Sequence, residues 1–407
     1  MMDLPIYMDG HATTRVDPRV VEAMLPYFGE RYGNAASRDH KFGWTARDAV
    51  ADARTAIAAL IGATARELVF TSGATESNNL ALKGVAEAAR DRGNHIVTTQ
   101  TEHRAILDPC GRLEQQGMQV TYLGVRSDGL VDPVALEAAI NPTTVLVTIM
   151  MANNEIGVLQ PIAELARLAR ARGVPLHTDA AQAAGKMPID VEADGIDLLS
   201  LTAHKLYGPK GVGALFVRRG VAVAPLLDGG GQEAGLRSGT LNVPAIVGFG
   251  RAAAICAEEM PREAARMRRL RDRLWDGLQR SLTGVTVNGA TMPRLPHNLN
   301  VHVDGLAGEQ LLIGLDDVAL SSGAACTSSN REPSHVLRAL GLDDAQARAS
   351  IRFGLGRFNT EAEVDYVVEK LSSLVTRLRS PAPVFVLGTD DRDLPPEWRV
   401  ESDSEVD

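Results

Sequence analysis

Short runs of β-branched and aliphatic residues alternate with amphipathic stretches through the first two thirds of the chain. The runs at 67–71, 95–99, 119–123, 144–150, 174–178, 198–201 and 213–217 have the length and composition of strands. Around and between them, residues 45–61, 78–92, 105–116 and 161–172 place apolar side chains at helical spacing. Strands separated by helices of this length need crossover connections. The pattern therefore predicts an α/β fold whose mostly parallel, seven-stranded sheet is covered on both faces. In such sheets ligands sit beyond the carboxyl ends of the strands. Polar residues collect at those places here: after Thr71, after Thr99, after Met150, at Asp179 and after Leu201.

A charge-rich helical pattern over about 262–282 breaks this rhythm and marks a boundary. Beyond it, 298–303, 318–321 and 350–353 read as strands, and 309–315 and 360–379 as helices, which predicts a smaller α+β domain. From Ser380 the chain turns rich in proline and acids and reads as a flexible tail.

At 407 residues the chain is too long for one ordinary compact domain. No apolar run approaches the ~18 residues of a membrane span, and the first residues carry no targeting pattern. A soluble, cytoplasmic protein is expected. The net charge of −9 argues against nucleic acid as the main partner. Much of it lies in the tail, where residues 390–407 hold eight acids against Arg392 and Arg399. Three scattered cysteines, Cys110, Cys256 and Cys326, suit a reducing compartment and form neither a disulfide framework nor a zinc-ligand pair. Cys110 and Cys256 sit in apolar contexts and read as small core side chains.

Three short segments carry the candidate chemistry. Phe70-Thr71-Ser72-Gly73-Ala74-Thr75-Glu76-Ser77 is a strand end, a turn of small residues and a helix start. It fits an anion cradle, with Thr75 as N-cap or phosphate ligand, and equally an ordinary capped turn. His177-Thr178-Asp179 puts an acid at the end of an apolar strand, where burial costs several kcal/mol unless the group is paired. Alone, Asp179 could cap the following helix. Thr202-Ala203-His204-Lys205 presents a hydroxyl, an imidazole and an amine just after a strand. A free lysine is neutral only about once in 10³ at pH 7, so a nucleophilic one needs a desolvated or cationic pocket; otherwise Lys205 is a surface charge. Together, a cradle, a buried acid and an amine at strand ends are what pyridoxal phosphate requires for its phosphate, its ring nitrogen and its Schiff base. No Gly-x-Gly-x-x-Gly appears in the first strand–helix unit, which sets aside a nicotinamide reading.

Several longer strings complete the pattern: F-T-S-G-A-T-E-S-N-N from Phe70, T-E-H-R-A-I-L-D from Thr101, N-N-E-I-G from Asn153 and R-S-G-T from Arg237. S-S-G-A-A-C-T from Ser321 and S-I-R-F-G-L-G-R from Ser350 follow. In this order they closely resemble the NifS/IscS cysteine desulfurases, among the class V aminotransferases, over residues 4–379. The resemblance implies a fold-type I, aspartate aminotransferase-like enzyme with pyridoxal 5′-phosphate as cofactor. It implies a large domain over 14–259 and a small domain from 1–13 and 260–379, with a cysteine loop at about 321–333. The expected activity converts L-cysteine to L-alanine and leaves the sulfur on Cys326 as a persulfide for iron–sulfur cluster assembly or another acceptor.

The resemblance also assigns roles. Lys205 carries the cofactor and moves the α-proton. Asp179 pairs with the ring nitrogen, Gln182 donates to the ring oxygen, and His103 stacks on the ring and serves as acid or base. Ala74, Thr75, Thr202 and His204 hold the phosphate, and Thr240 reaches it from the partner in a homodimer. Asn154 and Arg352 hold the substrate carboxylate. No resident metal is implied, although Cys326 could transiently ligate a partner's cluster. The Gly-rich surroundings of Cys326 suit a mobile loop carrying a nucleophilic thiol, and also an incidental loop cysteine. His11, in a D-x-x-A-T-T frame whose middle residues vary in the family, receives no role. Ser380-Pro381-Ala382-Pro383-Val384 replaces the S-P-L-W-E-M-like end with which housekeeping relatives dock an iron–sulfur scaffold protein. The competing readings are an aminotransferase or selenocysteine lyase on the same fold, and a carrier subunit that keeps the fold without the chemistry.

Overall fold

The computed structural model describes residues 4–321 and 332–380. Ile6–Tyr7 (β1) opens the chain. Strands Leu68–Thr71 (β2), His95–Thr99 (β3), Gln119–Leu123 (β4), Thr144–Thr148 (β5), Leu176–Asp179 (β6), Leu198–Thr202 (β7) and Gly213–Val217 (β8) form one seven-stranded sheet. Its order is β2-β8-β7-β6-β5-β3-β4. From β4 to β7 every pairing is parallel, and β8 runs antiparallel to both its neighbours. Every residue of β2, β3 and β5–β8 is buried, which is why these strands read as continuous apolar runs rather than as alternating ones. Helix Lys41–Leu60 and the first half of helix Val243–Ser281 cover one face. Ala74–Ala88 and Arg104–Glu114 cover the other, where Cys110 is buried.

Val285–Val287 (β9), Asn298–Val303 (β10), Val318–Ala319 (β11) and Ser350–Gly354 (β12) follow. β12, β10 and β9 form an antiparallel sheet, and β1 pairs in parallel with β11. A second core joins Ile6 and Met8 to β10, β12, helix Glu361–Arg379 and the far half of helix Val243–Ser281. The amino-terminal segment is zipped to β12: Gly10 N–H donates to Gly354 O at 2.8 Å, and Gly354 N–H to Met8 O at 2.7 Å. Among the described residues no helix is long and apolar enough to cross a membrane.

The long helix departs from expectation. It begins at Val243, far before residue 262, and runs unbroken for 39 residues through Pro261. Its opening turns are rich in Gly and Ala and buried on several faces, so they carry little amphipathic signal. A Cβ at Gly250 would lie 2.5 Å from Ala53 Cα, and one at Gly248 2.5 Å from Met24 Sδ. The glycines that weaken the helical pattern are the ones that let neighbouring helices approach.

Candidate active site

β2 ends at Thr71, and helix Ala74–Ala88 starts with Gly73 as its N-cap, not Thr75. Gly73 has φ +152°, a conformation that side chains oppose, and no side chain with which to cap the helix. The first-turn amides are thus left to a ligand or to solvent, with the helix dipole behind them. β8 closes in from the side, where a Cβ at Gly213 would fall 2.6 Å from Gly73 Cα. Glu76 fastens the turn by accepting from Ser72 N–H at 2.7 Å and from Arg237 Nε at 2.8 Å. The second bond also ties down the R-S-G-T segment.

Three elements supply the floor. Asp179 ends β6, where its Oδ2 accepts from Asn78 Nδ2 at 2.7 Å and its Oδ1 from Ala181 N–H at 2.9 Å. Thr202 ends β7, and the 3₁₀ turn Ala203–Lys205 brings His204 and Lys205 over the cavity. His204 Nδ1 lies 3.1 Å from Thr13 Oγ1, while its carbonyl accepts from Thr14. Burial, then the charges of Lys205 and Lys210, push the His204 imidazole down to about 4, so its ring is neutral. Gln182 is held by His11: its Nε2 donates to the His11 carbonyl, and its Oε1 lies 3.0 Å from His11 Nδ1.

His103 caps helix Arg104–Glu114, its Nδ1 accepting from Ala105 N–H at 3.1 Å. Burial lowers its pKa, against the opposing pull of Asp179. Behind it, fully buried Glu102 accepts from Met150 N–H at 2.7 Å and from Thr99 Oγ1 at 3.1 Å. Burial pushes this carboxyl up to about 8.

Across the cavity Arg352, on β12, donates to Asp9 Oδ1 at 2.9 Å and to the Asn154 carbonyl at 3.0 Å. Its Nε is buried without a partner, so one donor of the guanidinium is left unsatisfied. Nearby Glu155 is buried and accepts from Ser334 Oγ at 2.5 Å; burial pushes it up to about 7.

A cavity of about 490 Å³ brings together Ala74, Thr75, His103, Asn154, Asp179, Gln182, Thr202, His204, Lys205 and Arg352. Thr240 is exposed and does not line it. Cys326, and most of the expected cysteine loop, lie outside the described residues, as does the tail beyond Ser380. Sequence reasoning missed Asn78, Asp9, Glu102, Glu155 and His11. Asn78 stood inside a quoted string, five residues past the N-cap Gly73 and on the helix that starts at the cradle, and that placement could have pointed to it. Asp9 heads the D-x-x-A-T-T frame and His11 stands at one of its variable positions, but neither showed its role locally, because their partners lie far along the chain.

The set fits pyridoxal phosphate. An uncapped helix start with a glycine at its mouth suits a phosphate, a buried carboxylate suits a protonated ring nitrogen, and Lys205 opens on the space between them.

Known proteins give the same picture. The family model for aminotransferase class-V matches residues 6–367. The chain is 55% identical over 395 residues to "Cysteine desulfurase IscS" of Anaeromyxobacter dehalogenans (strain 2CP-C), covering 97% of this chain and 98% of that one. It is 53% identical to "Cysteine desulfurase" of Homo sapiens, over 96% of this chain and 86% of the human one. Among solved structures, a "NIFS-LIKE PROTEIN" superposes with a TM-score of 0.86 at 40% identity, over 91% of this chain and 99% of that one. "SspA in complex with cysteine" gives a TM-score of 0.78 at 38% identity, over 87% and 100% of the two chains.

Proposed function

The chain belongs to the class-V aminotransferase family and is a pyridoxal-phosphate-dependent cysteine desulfurase, and we propose how its residues divide that work. The observation that carries the reading is the meeting of Lys205, Asp179 and the uncapped Gly73 helix start in one cavity. When bound, the cofactor supplies an electron sink that acidifies the α-hydrogen of an attached amino acid.

The residues do the rest. The first-turn amides at Ala74 and Thr75, with Thr202 and the neutral His204, hold the phosphate. Asp179, oriented by Asn78 and Ala181, keeps a proton on the ring nitrogen. His103 covers the ring face, and Gln182 donates to the ring oxygen. Arg352 and Asn154 hold the carboxylate of L-cysteine. The Lys205 amine first tethers the cofactor and, once released, carries a proton at the substrate α-carbon. Cys326 takes the substrate sulfur as a persulfide, L-alanine leaves, and the persulfide is passed to iron–sulfur cluster assembly.

We also propose a homodimer. Thr240 is exposed and away from its own chain's cavity, so its phosphate contact would be made in a partner's. Phe28, Tyr32, Phe42 and Trp44 are exposed along one stretch, an apolar surface suited to a second copy.

Borohydride reduction followed by peptide mapping tests the core of this reading: the cofactor mass is expected on Lys205. A Cys326→Ala variant is expected to keep its cofactor while losing sulfide release from cysteine. An adduct at another lysine, or none, overturns the assignment. Intact cysteine turnover without Cys326 points instead to another reaction on the same fold.

A further inference from the structure

His11 is buried where the two sheets meet, and the hydrogen bonds around its ring have one consistent direction. Asn298 Nδ2 donates to the Glu155 carbonyl at 3.0 Å, and Asn298 Oδ1 accepts from Arg294 at 3.4 Å, so this amide has a single orientation. The same Nδ2 lies 3.0 Å from His11 Nε2, which must therefore accept. A neutral ring then carries its proton on Nδ1, and that N–H donates to Gln182 Oε1 at 3.0 Å. Gln182 Nε2 in turn donates to the His11 carbonyl. Both ends of the Gln182 amide are thus fixed by one residue, and its second N–H is left to the cavity it lines. Burial keeps the ring neutral, helped by the positive charges of Arg352, Lys205 and Lys186, and His297 stacks on it at 4.5 Å.

We infer that His11 is a positioning residue for the cofactor: through its Nδ1–H and its carbonyl it sets the Gln182 amide so that a nitrogen, not an oxygen, meets the ring oxygen of pyridoxal phosphate. The inference rests on the proposed cofactor placement. With His11 replaced by a side chain that cannot donate, the amide keeps only its bond to the residue-11 carbonyl, and its second N–H is held less firmly toward the ring oxygen.

The test compares His11→Leu, His11→Asn, Gln182→Ala and the double variant His11→Leu/Gln182→Ala by cofactor affinity and by pH titration of the cofactor's visible absorption band. H11L is expected to weaken affinity about threefold to tenfold, the scale of one lost hydrogen bond. It should also move the band's pH midpoint upward, because an oxygen that has lost a donor holds its proton more tightly. H11N places an amide nitrogen where Nδ1 stands and should restore both. On the Q182A background, H11L should add almost nothing. Wild-type affinity and midpoint in H11L overturn the inference, as do full additivity in the double variant and, should H11L not fold, an H11N midpoint displaced from wild type as far as that of Q182A. If the wild-type protein itself shows no band and no adduct on Lys205, the cofactor placement has failed, and not merely the role of His11.

Discussion

On the large-sheet wall of the cavity, Asp179 is oriented by Asn78 Nδ2 and Ala181 N–H; on the small-sheet wall, Arg352 is held by Asp9 and the Asn154 carbonyl, with its Nε left over. The two donors to Asp179 are neutral, so they fix the carboxylate without cancelling its charge. The charge of Arg352 is instead already matched by Asp9, 343 residues away in sequence. A group that stays bound through every turnover suits the first arrangement, which is preorganised. A substrate that arrives and leaves suits the second, where an incoming carboxylate shares or displaces an existing partner. The difference separates a permanent site from an exchangeable one.

The largest effect is expected on the large-sheet wall. Asp179→Asn keeps the shape and the Ala181 contact but removes the charge that holds a proton on the ring nitrogen. Alanine formation should fall by about 10²-fold or more while the cofactor remains bound. A rate within tenfold of wild type would break the contrast, because Asp179 would then only fasten the turn that follows β6.

A smaller effect belongs to the small-sheet wall. Arg352→Lys replaces a fork of donors by one ammonium group, which Asp9 is placed to engage. The KM for cysteine should rise about 10-fold to 100-fold, the range of a charged hydrogen-bonded pair, with kcat changed only a few-fold. Steady-state kinetics decide it, and a fall in kcat at constant KM would move Arg352 into the chemical step.

The same contrast explains what was legible in the sequence. The large-sheet wall is made of strand ends, and β3, β4 and β8 begin and end where their apolar runs do. Asp179, Thr202, His204 and Lys205 follow directly on such runs, so finding the strands found the residues. The small-sheet wall depends on pairing between remote segments. Tyr7 and Val287 belong to strands of two and three residues, too short to show a period. That residues 8–10 zip onto β12, delivering Asp9 to Arg352 and His11 to Gln182, is a property of the assembled fold. Arg352 was visible through its string and Asp9 through its frame; their pairing was not.

A buried glutamate stands behind each wall, and the pair yields the mildest test of the contrast. Glu102 backs the large sheet and is pushed up to about 8, first by burial, with the Asp179 charge adding to it and the Met150 N–H opposing. Glu155 backs the small sheet and reaches only about 7, because the Ser334 hydrogen bond and the Arg352 charge oppose its burial. For a carboxyl whose folded pKa lies above its ordinary 4.5, the unfolded chain releases the proton first as pH rises. Stability contributed by the neutral form is therefore complete below about 4.5 and is lost as pH climbs to the folded value. Glutamine keeps the accepting oxygen and cannot ionise. Thermal unfolding of the cofactor-free protein from about pH 5 to about pH 9 should show Glu102→Gln pulling ahead of wild type by a few degrees, the gap widening until about pH 8 and then holding. Glu155→Gln should gain less and level off near pH 7. A gap independent of pH in Glu102→Gln would mean that the acid behind the large sheet is ionised throughout, and that the floor beneath Asp179 is less dry than its burial indicates.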